Sequence, residues 1–316
     1  MTSDRLVSII ICTCNRASSL RQTLQTLGKA RVPTGWKAEV IVADNGSTDD
    51  TASVAHHAAL ANMEVHYLHE PKRGKSNALN AAMAQCHGDL LLFTDDDVEV
   101  PQDWMEQMMS PLEQGRADAV VGKVRLAPRL IRPWLSPWHQ GFLAAVDWQA
   151  LGGIGLVGAN MALRRSVLER VPAFDPELGP GSSGLANEEA LFGLQLREAG
   201  FKIALVDAAP VIHHLDASRL RRGEWLQAAR KYGRTRAYIA HHWEHTRIPA
   251  PRLRLLWYWL KLHLRRILQP PPVMDGEGCP SWEMCYLGNM EECRQFCMER
   301  RRPRNYAKRG LTKLVH

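Results

Sequence analysis

The chain of 316 residues is 45% apolar and 23% charged, a globular composition that excludes a disordered, collagenous or coiled-coil protein. Its length suits one large domain or a domain with an appendage, and a core of that size needs no disulfides; seven cysteines, an odd number, agree. The net charge of +7 divides unevenly: residues 217–316 hold 21 Lys and Arg against 8 Asp and Glu, and the preceding residues hold 19 against 25. This pattern points to cation chemistry in the first part and contact with an anionic surface in the second.

In chain order, Val7–Cys12 is a continuous apolar, β-branched run, the mark of a strand buried on both faces and too short for a signal peptide. Ser18 is placed to cap a helix reaching about Leu27. Val40–Ala43 is a second strand ending in the turn cluster Asp44-Asn45-Gly46-Ser47, after which Thr48 or Asp49 opens a helix. Val65–Leu68 is a third strand, and Gly74 to about Gln85 a helix. Leu90–Phe93 is a fourth strand, running into Asp95, Asp96 and Asp97. Pro101 marks the start of another helix, and Val120–Leu126 is a further strand. The stretch from Pro133 to Leu163 contains one charge, Asp147, but its glycines, prolines and amides rule out a membrane span and read as a buried or cleft-lining loop. Strands alternating with helices predict right-handed βαβ units and a doubly wound, mostly parallel sheet. Ligands would bind beyond the carboxyl ends of its strands, where Asn15-Arg16, Asp44-Asn45 and Asp95–Asp97 project.

Three adjacent carboxylates after a buried strand repel one another unless a cation or hydrogen bonds compensate. Hard oxygen ligands suit Mg²⁺ or Mn²⁺ held against a substrate phosphate; a solvated acidic turn is the plainer alternative. Arg73-Gly74-Lys75-Ser76 lacks the earlier glycine of a P-loop, since position 69 is His69, but Lys72, Arg73 and Lys75 at a helix start make an anion site or an exposed basic turn. Trp134, Trp138 and Trp148 suit either sugar stacking or ordinary packing.

Val-Ser-Ile-Ile-Ile-Cys-Thr-Cys-Asn-Arg (7–16), Val-Ala-Asp-Asn-Gly-Ser-Thr-Asp (42–49), Arg-Gly-Lys-Ser-Asn-Ala-Leu-Asn (73–80) and Phe-Thr-Asp-Asp-Asp-Val (93–98) occur in that order. With Gly-Ala-Asn-Met-Ala-Leu-Arg-Arg (158–165), the segment 187–200 beginning Asn-Glu-Glu, and Val-Ile-His-His (211–214), they resemble the family 2 glycosyltransferases, inverting enzymes of the GT-A fold. The resemblance covers about residues 5–240. It implies an α/β, GT-A-type Rossmann-like fold in which Thr13, Asn15, Arg16, Asp44, Asn45, Lys75, Asp95 and Asp96 bind a nucleotide sugar. Asp95 and Asp97 would hold Mg²⁺ or Mn²⁺, with His213 as third ligand. Glu189 stands where the family has its catalytic base, usually Asp, with Glu188 beside it; Cys12 stands where Pro is common. In such a reaction a divalent cation stabilises the leaving diphosphate, and a carboxylate takes the acceptor hydroxyl's proton.

The resemblance also implies a UDP- or GDP-sugar donor and a glycan or lipid-linked acceptor. Gln227-x-x-Arg230 echoes processive synthases, but Lys231 replaces their Trp, which favours addition of a single sugar. Rival readings are a nucleotidyltransferase and a non-catalytic nucleotide-sugar-binding protein at a membrane.

Behind a catalytic part at 1–245, residues 246–316 read as a basic extension. No acidic residue lies between Glu244 and Asp275, and prolines bracket a helix over 252–268 with an apolar stripe and cationic flanks. Such a helix either lies on an anionic membrane surface or docks on the catalytic part. Cys279, Cys285, Cys293 and Cys297 lack the pairing of common zinc sites, and the last residues read as a mobile basic tail. Nucleic acid is not expected as a partner, since no binding module is present. The expected location is the cytoplasm, peripherally on the membrane's cytoplasmic face.

Overall fold

The computed structural model describes residues 5–148 and 153–314. The first part alternates as expected: β1 (Arg5–Thr13), α1 (Ala17–Leu27), β2 (Trp36–Asp44), α2 (Thr51–His56), β3 (Glu64–His69), α3 (Lys75–Gln85) and β4 (Leu90–Asp95). These four strands are parallel in the order β3-β2-β1-β4. Val7, Ile9, Ile10 and Ile11 of β1 are wholly buried because helices cover both faces, which is why the strand is an unbroken apolar run. The register sets Thr13 opposite Asp44 and Cys12 opposite Asp95, so the polar ends of three strands share one edge.

Beyond β4 the sheet becomes mixed. β5 (Val98–Glu99), α4 (Trp104–Glu113), β6 (Ala119–Leu126), α5 (Pro137–Phe142), β7 (Asn160–Arg164), α6 (Glu188–Glu198) and β8 (Ile203–His213) complete it in the order β4-β7-β6-β8-β5. β7 is antiparallel to β4 and β6, β5 is antiparallel to β8, and β6 and β8 are parallel with an irregularity between Gly122 and Val124. Pro210 sits in the part of β8 that skips the ladder there, a place where its missing N–H costs nothing. The segment read as a loop from Pro133 to Leu163 holds α5 and the first part of β7, while 149–152 lie outside the described residues. α1 starts one residue before Ser18, at Ala17, with Arg16 in the cap position; no side chain caps it.

Three helices follow: α7 (Arg222–Ile239), α8 (Pro251–Leu268) and α9 (Ser281–Glu299). α9 lies against α7 so closely that a Cβ on Gly233 would stand 2.0 Å from the carbonyl oxygen of Gly288, so glycine is required at that crossing. The four late cysteines are free and do not gather into a metal site: among the described residues, the group able to hold an ion is Asp95, Asp97 and His213.

Among the described residues the tail expected to be mobile from its charge is anchored through particular side chains, Tyr306, Asn305 and Lys313. Tyr306 joins Leu178, Leu185, Leu191 and Tyr238 in one apolar cluster. Buried Asp175 accepts from Tyr238 Oη at 2.6 Å, Tyr306 Oη at 2.8 Å and Lys313 Nζ at 2.7 Å. His242 Nδ1 accepts from the Asn305 backbone N–H, so its Nε2 carries the proton given to Glu299, 2.9 Å away. Two of the tail's basic residues are thus paired with acids from elsewhere in the fold: Lys313 with Asp175 and Glu177, and Arg302 with Glu177 and Glu299.

Two outcomes follow from this network. Asp175→Ala should destabilise the fold by about 3–5 kcal/mol, because it strips a buried acceptor from three donors; denaturant melting checks this. Burial pushes Glu299 up, but His242, Gln295 and Arg302 outweigh it and bring it down to about 2. Burial likewise raises Asp175, and Lys313 and Tyr238 hold it below its ordinary value. Both contribute stability above the unfolded carboxylate range of about 4 and lose it as pH falls through their lower folded values. The stabilisation contributed by these two acids should therefore be complete above about pH 5 and be lost toward pH 2, so the acid-side decline in stability should be shallower in Asp175→Asn.

Candidate active site

The site forms where β1, β2 and β4 end. Asp95 closes β4, and the chain turns at once so that Asp96 and Asp97 face back under Arg16. Arg16 Nη1 donates to Asp96 Oδ1 at 3.0 Å and to Asp97 Oδ2 at 2.9 Å, while Thr13 Oγ1 donates to Asp96 Oδ2 at 2.7 Å. Burial, with Asp97 and Asp95 adding to it, pushes Asp96 up to about 6 against the pull of Arg16 and Thr13. Burial also raises Asp97, but His213, Arg16 and Lys75 outweigh it and bring that carboxyl to about 2.

His213 arrives from the far side of the sheet. β5 pairs Val98 with His213, and the His214 N–H donates to the Asp97 carbonyl at 2.7 Å, so the backbone itself sets the imidazole beside the carboxylate. His213 Nδ1 lies 3.2 Å from the Leu143 carbonyl, which can only accept, so Nδ1 carries a proton. Nε2 then faces Asp97 Oδ1 at 3.0 Å, yet that oxygen is buried and makes no hydrogen bond of acceptable direction. Burial lowers the imidazole's pKa, and Asp97 and Asp95 more than reverse this. Asp95, Asp97 and His213 offer ligand atoms all within 4.8 Å of one another. An orphaned carboxylate oxygen facing a ring nitrogen whose partner nitrogen is already engaged fits a divalent cation.

On the other side, Lys75, the first residue of α3, reaches between Asp95 Oδ1 at 2.7 Å and Glu188 Oε1 at 3.4 Å. Those acids hold its pKa well above the ordinary value although burial alone would lower it. Glu188 and Glu189 start α6 and, with Cys12, Lys75, Phe93 and Asp95, line one small pocket. Burial and the neighbouring Glu188 push the Glu189 carboxyl well above the usual range, and Lys75 offsets only part of this. Asn187, just before them, adopts the left-handed φ of 59° that asparagine tolerates, and the chain turns there into α6. At Gly179 (φ 97°) a Cβ would stand 2.9 Å from Glu188 Oε2, so only glycine leaves that carboxylate its place.

Thr13, Arg16, Lys75, Asp95, Asp96, Asp97, Glu188, Glu189 and His213 thus converge. Three others stand at the rim and build its walls. Asn15 Oδ1 accepts from the Thr48 N–H at 2.8 Å. Asp44 is buried, accepting from the Ser47 N–H and from Tyr67 Oη, each at 2.9 Å. Asn45 donates to the carbonyls of Glu70 and Lys72 and accepts from the Gly74 N–H at 2.7 Å, tying β2 to the start of α3. Trp134 packs edge-on against His139 and Trp225, Trp148 is half-buried against the core, and Trp138 is exposed. Sequence reasoning missed the loop 175–187 that roofs the site. Its Leu178 and Pro180 carbonyls accept from Ser76 Oγ and the Lys75 N–H, both at 2.8 Å. Its glycines at 179, 181 and 184 were the available signal.

The profile of glycosyl transferase family 2 matches residues 8–171, more than half of the chain. The chain is 27% identical over 252 residues to succinoglycan biosynthesis protein ExoA of Rhizobium meliloti (strain 1021), across 76% of this chain and 74% of that protein. It is 32% identical over 120 residues to glycosyltransferase AglE of Haloferax volcanii, across 37% of this chain and 39% of that one. Among solved structures, the mannosyltransferase PcManGT from Pyrobaculum calidifontis, in complex with GDP-Man and Mn²⁺, superposes with a TM-score of 0.53 at 20% identity, over 73% of this chain and 63% of that one. That likeness shows a GT-A-like fold. Built on this fold, and with the family profile running from the first strand past the Asp95–Asp97 turn to β7, the chain belongs to glycosyl transferase family 2 and is a glycosyltransferase.

Proposed function

We propose that this enzyme transfers a single sugar, with inversion, from a nucleoside diphosphate sugar to a hydroxyl of a glycan or lipid-linked acceptor. The observation that carries the reading is the convergence of Asp95, Asp97 and His213 opposite Glu189 across Lys75. Relatives support the substrate classes: PcManGT was solved with GDP-Man and Mn²⁺, and an undecaprenyl-phosphate 4-deoxy-4-formamido-L-arabinose transferase of Pseudomonas savastanoi pv. phaseolicola is 31% identical over 123 residues. Residues Asp95, Asp97 and His213 would hold Mg²⁺ or Mn²⁺, which when bound supplies Lewis-acid stabilisation of the departing diphosphate. Thr13, Asn15, Arg16, Asp44 and Asn45 shape the nucleotide side. Asp96 holds Arg16 in place. Lys75 keeps a positive charge between Asp95 and Glu188, where negative charge on the leaving group grows. Glu189, with its raised proton affinity, takes the proton from the acceptor hydroxyl near neutral pH.

Asp97→Ala should leave the chain folded, since Arg16 keeps Asp96 as its partner, and abolish the turnover that depends on Mn²⁺ or Mg²⁺. Full metal-dependent turnover in this variant would contradict the ligand assignment. Glu189→Gln should cut kcat by about 10²–10⁴-fold with donor affinity changed only a few-fold, measured by steady-state kinetics and donor titration. Because a base must be unprotonated, wild-type turnover should rise with pH through the neutral range. Glu188→Gln removes the negative charge that raises Glu189, so it should move that rise to lower pH and cost less rate. A rise moved upward would contradict that coupling, and a dead Glu188→Gln beside an active Glu189→Gln would transfer the role to Glu188.

A further inference from the structure

Helix α8 faces its apolar side away from the protein. Its contact with the rest of the chain is narrow: Leu262 is buried, Leu255 and Tyr258 are half-buried in the cluster that includes Trp282 and Tyr286, and Arg266 pairs with Glu283 at 2.7 Å. Leu253, Leu256, Trp257, Leu260, Leu264 and Ile267 recur at helical spacing on the opposite side and are 51–76% exposed. Surfaces of soluble proteins rarely leave so continuous an apolar stripe without a partner. Cations border it. Lys261 Nζ lies 4.5 Å from the Trp257 ring, Arg254 stacks on Tyr258 along the same edge, and Arg252 is exposed at the helix start. The helix itself carries no acidic residue between Glu244 and Asp275; the acids near it are on α9, where Glu283 takes Arg266 and Glu292 lies toward Arg254.

We propose that α8 is a membrane-docking element that lies flat in the interface of an anionic lipid bilayer, its outer stripe among the acyl chains and its cations at the headgroup phosphates. Charge decides the occupant. Two copies of the chain meeting through this face would press two cationic borders together, whereas an anionic bilayer answers both the stripe and the border. Among the described residues no helix is long and apolar enough to cross a membrane, so the contact is parallel to the surface. The docked helix is joined to the catalytic side by continuous packing. α8 rests on α9, α9 on α7, and Thr235 of α7 accepts from the Ala186 N–H at 2.9 Å, two residues ahead of Glu188. The inference does not rest on the proposed donor or acceptor.

The test uses full-length protein and co-sedimentation with vesicles of phosphatidylcholine alone or mixed with phosphatidylglycerol. Binding should favour the anionic vesicles, weaken with added salt, and shift tryptophan emission to the blue, a shift reduced in Trp257→Phe. Leu260→Glu combined with Leu264→Glu changes two exposed positions, so the fold should survive, as thermal melting will show. This variant should bind anionic vesicles about 100-fold more weakly. Equal binding by the folded double variant, or no preference of the wild type for anionic vesicles, would overturn the proposal. So would a wild-type dimer that the double variant dissolves while neither protein binds vesicles.

Discussion

Arg16 and Lys75 are each held between two carboxylates, and each bridges parts of the site distant in sequence. Around them stand Asp95, Asp96, Asp97, Glu188 and Glu189, so two permanent cations face five acids at the edge of a buried sheet. Charge of one sign cannot be confined in a poorly hydrated place without compensation. The structure relieves it in the ways open to it: Asp96 and Glu189 keep their protons to higher pH than ordinary carboxyls, and His213 is drawn toward its charged form. What is left over is directed at one spot, the unsatisfied Oδ1 of Asp97. The same imbalance that costs stability is what a divalent cation would relieve, and it gives Glu189 the raised proton affinity on which its proposed role as base rests.

The fold answers the question of how such groups are brought together. β1, β2 and β4 run parallel and end level, which puts Thr13, Asp44 and Asp95 on one edge by register alone. The antiparallel turn of β5 against β8 then carries His213 back to Asp97 across more than a hundred residues of sequence. Loop 175–187 closes the far side, and the last residues of the chain, through Lys313 and Tyr306, fix the base of that loop at Asp175. The basic end of the chain is therefore part of what holds the catalytic side.

The parallel half was legible because buried strands advertise themselves: Val7–Cys12 and Leu90–Phe93 are apolar runs with one outcome. The mixed half was not. β7 contains Met, Ala and Leu with no β-branched residue, and in β8 the apolar pieces 203–206 and 211–212 are split by Asp207, two alanines and Pro210, so neither reads as one continuous strand; long-range pairing completes them. The residues of the candidate site were recognisable as motifs, but their division of labour was not. Asp44 and Asn45 read as ligand contacts in a turn-rich string, and the structure adds that their hydrogen bonds also brace the wall. The tail was misread for a related reason: Lys313 and Arg302 look like solvated charges until Asp175 and Glu177 are brought up from far away in the chain.

The central claim is that the charge imbalance is completed by a cation held partly by His213. The most direct measurement is pulsed electron paramagnetic resonance of Mn²⁺ bound to the full-length protein with a nucleoside diphosphate. The account predicts a ¹⁴N coupling from a directly bound imidazole in the wild type, absent in His213→Ala. Mn²⁺ bound with ³¹P coupling from the diphosphate but no imidazole nitrogen in the wild type would contradict it.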